Sequence, residues 1–382
     1  MSKIIGRPLY APAPAGGGKP SAPKFTYDGD YVIRDDGVVE LLTSGTLVFL
    51  NTAVIDIFMV GGGSSGAYHV KTEVNKYTGG NGGYTRTIKR VTLSKGVQIP
   101  VTIGAGGTNG SNGGSSTFNE LTVNGGTAPS DKSSGEGGSG GGAGGWADKG
   151  GGGTGGSDGS NGTVVSTSYN AGTGQGSTTR EFGETTGKLY AGGGGGASYA
   201  SIKYPKPGAA GGDGGGGRGA GCGEKSASAN IAGTSGVANT GGGGGGGGQT
   251  FNKGTWIDPG SGGSGIVCFR EAAELPELAG TWVLNERLYM PERYFTENVR
   301  FTGVQTGIQG SVSFVEAQFY YARGTKRSLL RFAVSSSNIA TIYDFTENKW
   351  SEKYQTITFL PSATASDEFR AWLVSNATKQ TA

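Results

Sequence analysis

Fifty-one of the chain's 80 glycines fall between residues 131 and 265, in runs such as Gly192–Gly196 and Gly241–Gly248. A stretch with so few side chains has little apolar surface to bury. Glycine also loses more conformational entropy on folding than any other residue. Such a segment is either a linker or an object held together by its own backbone. The ending is a different material: 17 of the 36 aromatic residues lie in 275–382, enough for an ordinary core.

Composition removes several function classes. The longest apolar run, Leu47–Val60, contains Asn51 and Asp56, whereas a membrane span needs ~20 apolar residues; no membrane insertion is expected. Met1–Lys24 has no apolar stretch of the secretory kind. Cys222 and Cys268 are too few for a disulfide framework or a Cys-based zinc site. They read as small buried thiols, with pairing left open. A net charge of +3 is too small for a nucleic-acid footprint. His69, the one histidine, reads as a solvated loop residue with no constellation around it. Asp148, Asp158, Glu181, Glu184 and Asp213 show no spacing that pairs two of them as glycosidase carboxylates. No enzyme activity, metal or cofactor is therefore expected.

Four regions follow from the pattern. Residues 1–24 form an extended arm with five prolines. Residues 25–130 read as a β base, with strands expected at Tyr31–Arg34, Val38–Leu42, Thr46–Leu50, Val54–Val60, Tyr84–Leu93, Val97–Ile103 and Thr117–Val123. Val54–Val60 is apolar on both faces except at Asp56, which needs a partner there. Tyr84–Leu93 alternates as a strand largely facing solvent, and Ser94-Lys95-Gly96 suits a hairpin turn to the next strand. Residues 131–270 are the glycine-rich region, closed by a strand at Ser264–Arg270 that looks like a sheet partner of Val54–Val60. Residues 275–382 form a β-rich domain. Its expected strands are Thr281–Leu284, Asn298–Thr302, Ser311–Ala322, Leu329–Val334, Ala340–Asp344 and Thr356–Leu360, followed by a helix over Ser366–Ala377.

Between linker and ordered scaffold, the residues favour order. The glycine runs are interrupted by single large anchors, among them Trp146, Tyr190, Tyr199 and Trp256. A glycine chain in the left-handed extended helix, three residues per turn, turns every N–H and C=O outward. Without Cβ atoms such helices pack side by side and bond to one another. The expected fold class is therefore mainly β with a polyglycine-II bundle. Segments between the glycine runs then become end loops that can vary without harming the support. The exposed candidates for receptor binding are Trp146, Tyr169, Tyr199, Lys203, Tyr204 and Trp256. The competing reading of each ring is a clamp between neighbouring helices.

Three motif groups carry a resemblance: Ile55–Gly63, Gly79–Tyr84 with Val101–Gly107, and Gly262–Val267. Over about residues 45–270 the chain resembles the glycine-rich domains of bacteriophage tail-fibre and receptor-binding proteins. It is similar in particular to the polyglycine-II tip adhesins of T-even-type long tail fibres. Gly280-Thr281-Trp282, Trp350, Trp372 and Asn376-Ala377-Thr378 look like a small domain that recurs at the ends of phage tail proteins. The resemblance implies a virion adhesin that recognises a host surface glycan or outer protein and docks to other tail proteins, as a homo-oligomer, with a trimer among the options. The alternative is a structural virion component of baseplate, tail or capsid decoration, in which the glycine block is a spacer.

Overall fold

The computed structural model describes residues 23–67, 77–130, 133–146, 152–164, 170–199, 208–221, 231–249 and 256–277, and the strands between 280 and 379 together with Val374. Contacts divide the chain into two units, Met1–Ala272 and Ala273–Ala382. The architecture is mainly β, with antiparallel sheets.

Among the described residues of the first unit nine strands come early. They are β1 (Phe25–Tyr27), β2 (Tyr31–Ile33), β3 (Val39–Leu41), β4 (Gly45–Phe49), β5 (Ala53–Val60), β6 (Thr85–Leu93), β7 (Gln98–Thr102), β8 (Ser116–Phe118) and β9 (Leu121–Val123). Among the described residues of the glycine-rich region there are six two-residue strands: β10 (Glu136–Gly137), β11 (Gly145–Trp146), β12 (Thr173–Gly174), β13 (Ser198–Tyr199), β14 (Gly248–Gln249) and β15 (Trp256–Ile257). The closing strand is β16 (Ile266–Glu271).

Two five-stranded sheets result, ordered β1-β4-β7-β8-β9 and β2-β3-β16-β5-β6. Alternation decides what lies between them. Ile99 and Val101 of β7 point inward while Gln98, Pro100 and Thr102 point out. Ile55, Ile57 and Met59 of β5 meet Val267 and Phe269 of β16, Leu47 and Phe49 of β4, and Phe118 in one buried core. The opposite faces of β5 and β16 are buried too: Phe58, Val60, Ile266 and Cys268 lie beneath Phe182 and Tyr190. The expected pairing of Val54–Val60 with the closing strand is present, with Val60 opposite Ile266 and Phe58 opposite Cys268.

Asp56 has its partners. A bulge sets Ile55 opposite Val91 and Ile57 opposite Ile88, so Lys89 and Arg90 share the place facing Asp56. The Arg90 amide donates to Asp56 Oδ1 at 3.0 Å, and Lys89 Nζ and the Arg270 guanidinium reach Oδ2 at 3.3 Å. The bulge also shifts the alternation of β6, so that Ile88, Val91 and Leu93 all pack on the same core. The expected solvent-facing strand is thus half-buried.

Two further expectations are corrected. Ser94-Lys95-Gly96 does not close a hairpin, because β6 pairs with β5 and β7 with β4; the turn carries the chain from one sheet to the other. Thr117–Val123 is not one strand but a β8–β9 hairpin, turned at Asn119 with φ 52°.

The glycine segments bond to one another with a three-residue period. Along 61–67, the amides of Gly61, Ser64 and Ala67 donate to Tyr84, Asn81 and Thr78. Those of Gly62 and Ser65 donate to Gly114 and Ser111, and those of Gly63 and Gly66 to Gly263 and Gly260. Each third residue returns to the same neighbour. The run 192–197 repeats the rule: Gly192 and Gly195 bond Gly214 and Gly217, Gly193 and Gly196 bond Gly156 and Gly153, and Gly194 and Ala197 bond Gly80 and Tyr77. Partner numbers that fall mark antiparallel neighbours, and the rising pair 214 and 217 marks a parallel one. Residues of the 25–130 region and of the glycine-rich region therefore share one bonded array.

In the second unit, β17 (Gly280–Leu284), β18 (Thr306–Gln309), β19 (Val312–Tyr320), β20 (Arg327–Val334), β21 (Ala340–Asp344), β22 (Lys349–Trp350), β23 (Thr356–Phe359) and β24 (Ala377–Lys379) form an antiparallel sheet. Its order is β22-β21-β20-β19-β23-β17-β24, and β18 pairs with β19. The strand expected at Asn298–Thr302 lies outside the described residues. So does most of the expected helix Ser366–Ala377: Val374 is helical, but Ala377 opens a strand opposite Leu284. A sheet partner for 377–379 overrides the helical pattern at that end.

Close approach makes the array intolerant of side chains. A Cβ on Gly194 would fall inside the contact distance of the Gly244 carbonyl. Gly194→Ala should therefore cost about 1–3 kcal/mol of overpacking, read as a lower thermal midpoint for the first unit. Lys95→Ala, at an exposed turn position, should leave that midpoint in place.

Candidate functional site: one end of the glycine array

The array has two distinguishable ends. Beside the sandwich, Gly61 bonds Tyr84, Gly83 bonds Gly241, and Val60 pairs with Ile266. Six residues on from Gly61, Ala67 bonds Thr78. At that opposite end Ala197 bonds Tyr77, Gly145 bonds Ala197, and Ala220 bonds Gly246. Short pairings finish this end. β11 and β13 run parallel, Ser198 bridges Gly221, Gly221 bridges Ile231, and β14 meets β15 antiparallel.

The described residues flanking 68–76, 147–151, 200–207, 222–230 and 250–255 are therefore gathered at one end. Among the sequence candidates, Trp146 and Tyr199 are direct register partners across β11 and β13. Trp256 faces Gln249 and is half-buried against Tyr77, Ala197 and Ala220. Tyr169, Lys203 and Tyr204 lie outside the described residues, as do His69 and Cys222. Tyr77 is buried and has φ 70°, an uncommon conformation for a bulky side chain and one held by its surroundings.

A second cluster, beside the sandwich, escaped the sequence reading. Residues 178–191 cross the outer face of the sheet containing β5, with a single 3-10 turn at Glu181–Gly183 and a bridge between Arg180 and Leu189. Arg34 grips Glu181 with two bonds, Nη1 to Oε1 at 3.0 Å and Nη2 to Oε2 at 2.7 Å. Arg34 and Lys188 also reach Glu40 Oε1, at 3.3 and 3.4 Å. Tyr190 OH lies 3.3 Å from Glu181 Oε1 and 3.9 Å from Cys268 Sγ. Two cations lie over the Phe182 ring, with Arg270 4.2 Å and Lys89 5.4 Å from its centroid. Arg270 also bonds Glu184. The segment is thus strapped to the sheet by rings inside and ion pairs at its margins.

Glu40, Glu181 and Cys268 place three ligand-type atoms within 4.8 Å of one another. The two carboxylates already face Arg34 and Lys188, so their charge is balanced without an ion. Burial, then the Glu181 and Glu40 charges, push the Cys268 thiol well above its ordinary range. Burial likewise raises Tyr190, helped by Cys268 and the two glutamates. A thiol and a phenol held neutral in such a place serve packing. At the outer margin, bonds from Thr178, Thr179 and Arg180 hold the Asp158 carboxyl below the usual range.

Sequence spacing could not find this strap: Arg34 and Glu181 are 147 positions apart. The one signal was the apolar outer face of β5, which required a cover.

The raised Cys268 and Tyr190 values fix a pH dependence. Both groups bind their protons more tightly folded than unfolded, so their stabilisation is whole below the ordinary thiol value of 9.0 and is lost as pH rises beyond it. Thermal melts should show the first unit weakening from about pH 9 upward. Cys268→Ala should flatten that slope, and Cys268 should resist alkylation at neutral pH until the unit unfolds.

No curated protein matches the chain. The model of a glycine-rich domain family matches residues 43–272, well over half the chain and nearly the span from β4 through β16. The interrupted array and the sandwich that closes on β16 are the body of that match, and the chain belongs to this glycine-rich domain family.

Proposed function

We propose that this chain is an adhesin of a bacteriophage virion and that its glycine array is a polyglycine-II bundle carrying a receptor-binding end. The three-residue bonding period supports the bundle, because a helix with three residues per turn offers each successive amide to a different neighbour. The observation that carries the function is the placement of Trp146, Tyr199 and Trp256 at one end of a backbone-bonded support. Loops on such a support can change without disturbing it. Aromatic residues suit stacking against a sugar face or an apolar protein ridge. In this reading the ligand is a host surface glycan or outer protein, and the arm at 1–24 or the unit at 273–382 attaches the molecule to other tail proteins. The adhesin acts by binding alone, as a homo-oligomer.

Particles carrying the chain with residues 147–151, 200–207 and 250–255 exchanged for those of a relative test this. Host range should follow the exchanged segments. Trp146→Ala with Tyr199→Ala should weaken adsorption by about 2 kcal/mol or more in binding free energy, with an unchanged thermal midpoint. Unaltered adsorption in both experiments would favour the structural alternative, a virion spacer without receptor contact.

A further inference from the structure

The sequence holds five Asn–Gly steps, beginning at Asn81, Asn109, Asn112, Asn124 and Asn161. At such a step the glycine amide nitrogen, unshielded by a Cβ, can attack the preceding side-chain carbonyl. The attack requires that N–H be free to lose its proton and turn toward Cγ. In four of the five steps it is tied down. Gly82 donates to the Ser139 carbonyl at 2.9 Å, Gly113 to Gly126 at 2.9 Å, and Gly162 to Gly172 at 3.1 Å. Gly110 donates to Ser65 Oγ at 2.7 Å. Asn81 is locked further, its side chain buried and bonded to Thr127, Ser134 and the Gly141 amide.

Asn124–Gly125 is different. Among the described residues the Gly125 amide has no hydrogen-bond acceptor, and the Asn124 side chain is exposed. Ser115 Oγ lies 3.5 Å from Asn124 Oδ1, donating to the carbonyl that must be polarised for attack. We infer that Asn124–Gly125 is a self-modifying site, with the Gly125 nitrogen as nucleophile, Asn124 Cγ as electrophile and Ser115 as the polarising donor. The Gly125 nitrogen bonds to Cγ, and the side-chain NH2 departs with the displaced proton as ammonia. Water then opens the cyclic imide to aspartate or isoaspartate. No oxidant or cofactor is consumed.

The position gives the chemistry a consequence. The Asn124 carbonyl accepts the Tyr84 amide at 3.0 Å, and Gly126 donates to Gly62 at 2.9 Å. Isoaspartate adds one backbone methylene between these two anchors and a negative charge beside them. The seam where the sandwich passes into the array then loses its register, because bonds on both sides of Gly125 were set by the shorter chain.

The test is ageing of the purified full chain at mildly alkaline pH, read by peptide mass spectrometry with isoaspartate detected by enzymatic methyl transfer. Asn124 should convert roughly tenfold faster than any of the other four, since each of those must first break a hydrogen bond inside a cooperative array. In denaturant the five rates should converge. Ser115→Ala should slow Asn124 alone, and Asn124→Gln should remove the early product while preserving the fold by thermal melt. Equal or faster conversion at Asn81, Asn109, Asn112 or Asn161 in the folded chain would overturn the assignment. So would an intact Asn124 in a sample whose denatured control has converted, and an unchanged rate in Ser115→Ala would remove Ser115 from it.

Discussion

The amide-to-carbonyl bond between chain segments that carry no side chains is the interaction on which the first unit rests. Such segments lie close enough for Gly194, Gly80 and Gly244 to bond in sequence across three runs. Each bond contributes only about 0.5–1.5 kcal/mol net, while each ordered residue costs roughly 1–2 kcal/mol of entropy. Glycine is the most expensive case. The array cannot stand on those bonds alone and must grow from something with a core. The sandwich fills that role: β5 runs directly into Gly61–Ala67, and residues 258–265 run directly into β16. Two strands packed on both faces therefore hold the ends of two glycine runs at fixed spacing, and the remaining runs add to that template.

Within the first unit, charge and aromatic surface concentrate on the outer face of β5 and β16. The strap at 178–191 covers the outer face of β5 and β16 with Phe182 and Tyr190, and Arg34, Glu181, Glu40 and Lys188 fasten its margin. Asp56 sits near the same margin, neutralised by Lys89 and Arg270 at the β6 bulge. Pairs with one half-exposed partner, such as Lys89 with Asp56, are worth little individually; their value here is that each fixes a segment that has few side chains of its own. The same economy governs the far end, where one ring, Trp256, rests on Tyr77, Ala197 and Ala220.

Much of the β base was legible in the residues. Two-faced apolar content marked β5 as a doubly buried strand, and the isolated Asp56 demanded the cations it has. Local turn chemistry was less informative. Ser94–Gly96 has the composition of a hairpin turn, yet a turn's residues report its bend and not which sheet each arm will join. The bulge at Asp56 was invisible for a related reason: an extra residue in β6 changes which side chains face the core without changing β propensity.

Sequence alone determined that any ordered structure in the middle of this protein had to be built from backbone, because 51 glycines in 131–265 leave too little side chain for anything else. It also determined that an apolar strand on each side of that region would frame it, since burial is a property of the residues themselves. Tertiary structure alone decided which run lies beside which, that Trp146 falls in register with Tyr199 and that Arg34 bonds Glu181. Identical glycines carry no label for their partners. The order of the array is set by where the sandwich anchors its ends and by the few side chains that interrupt it.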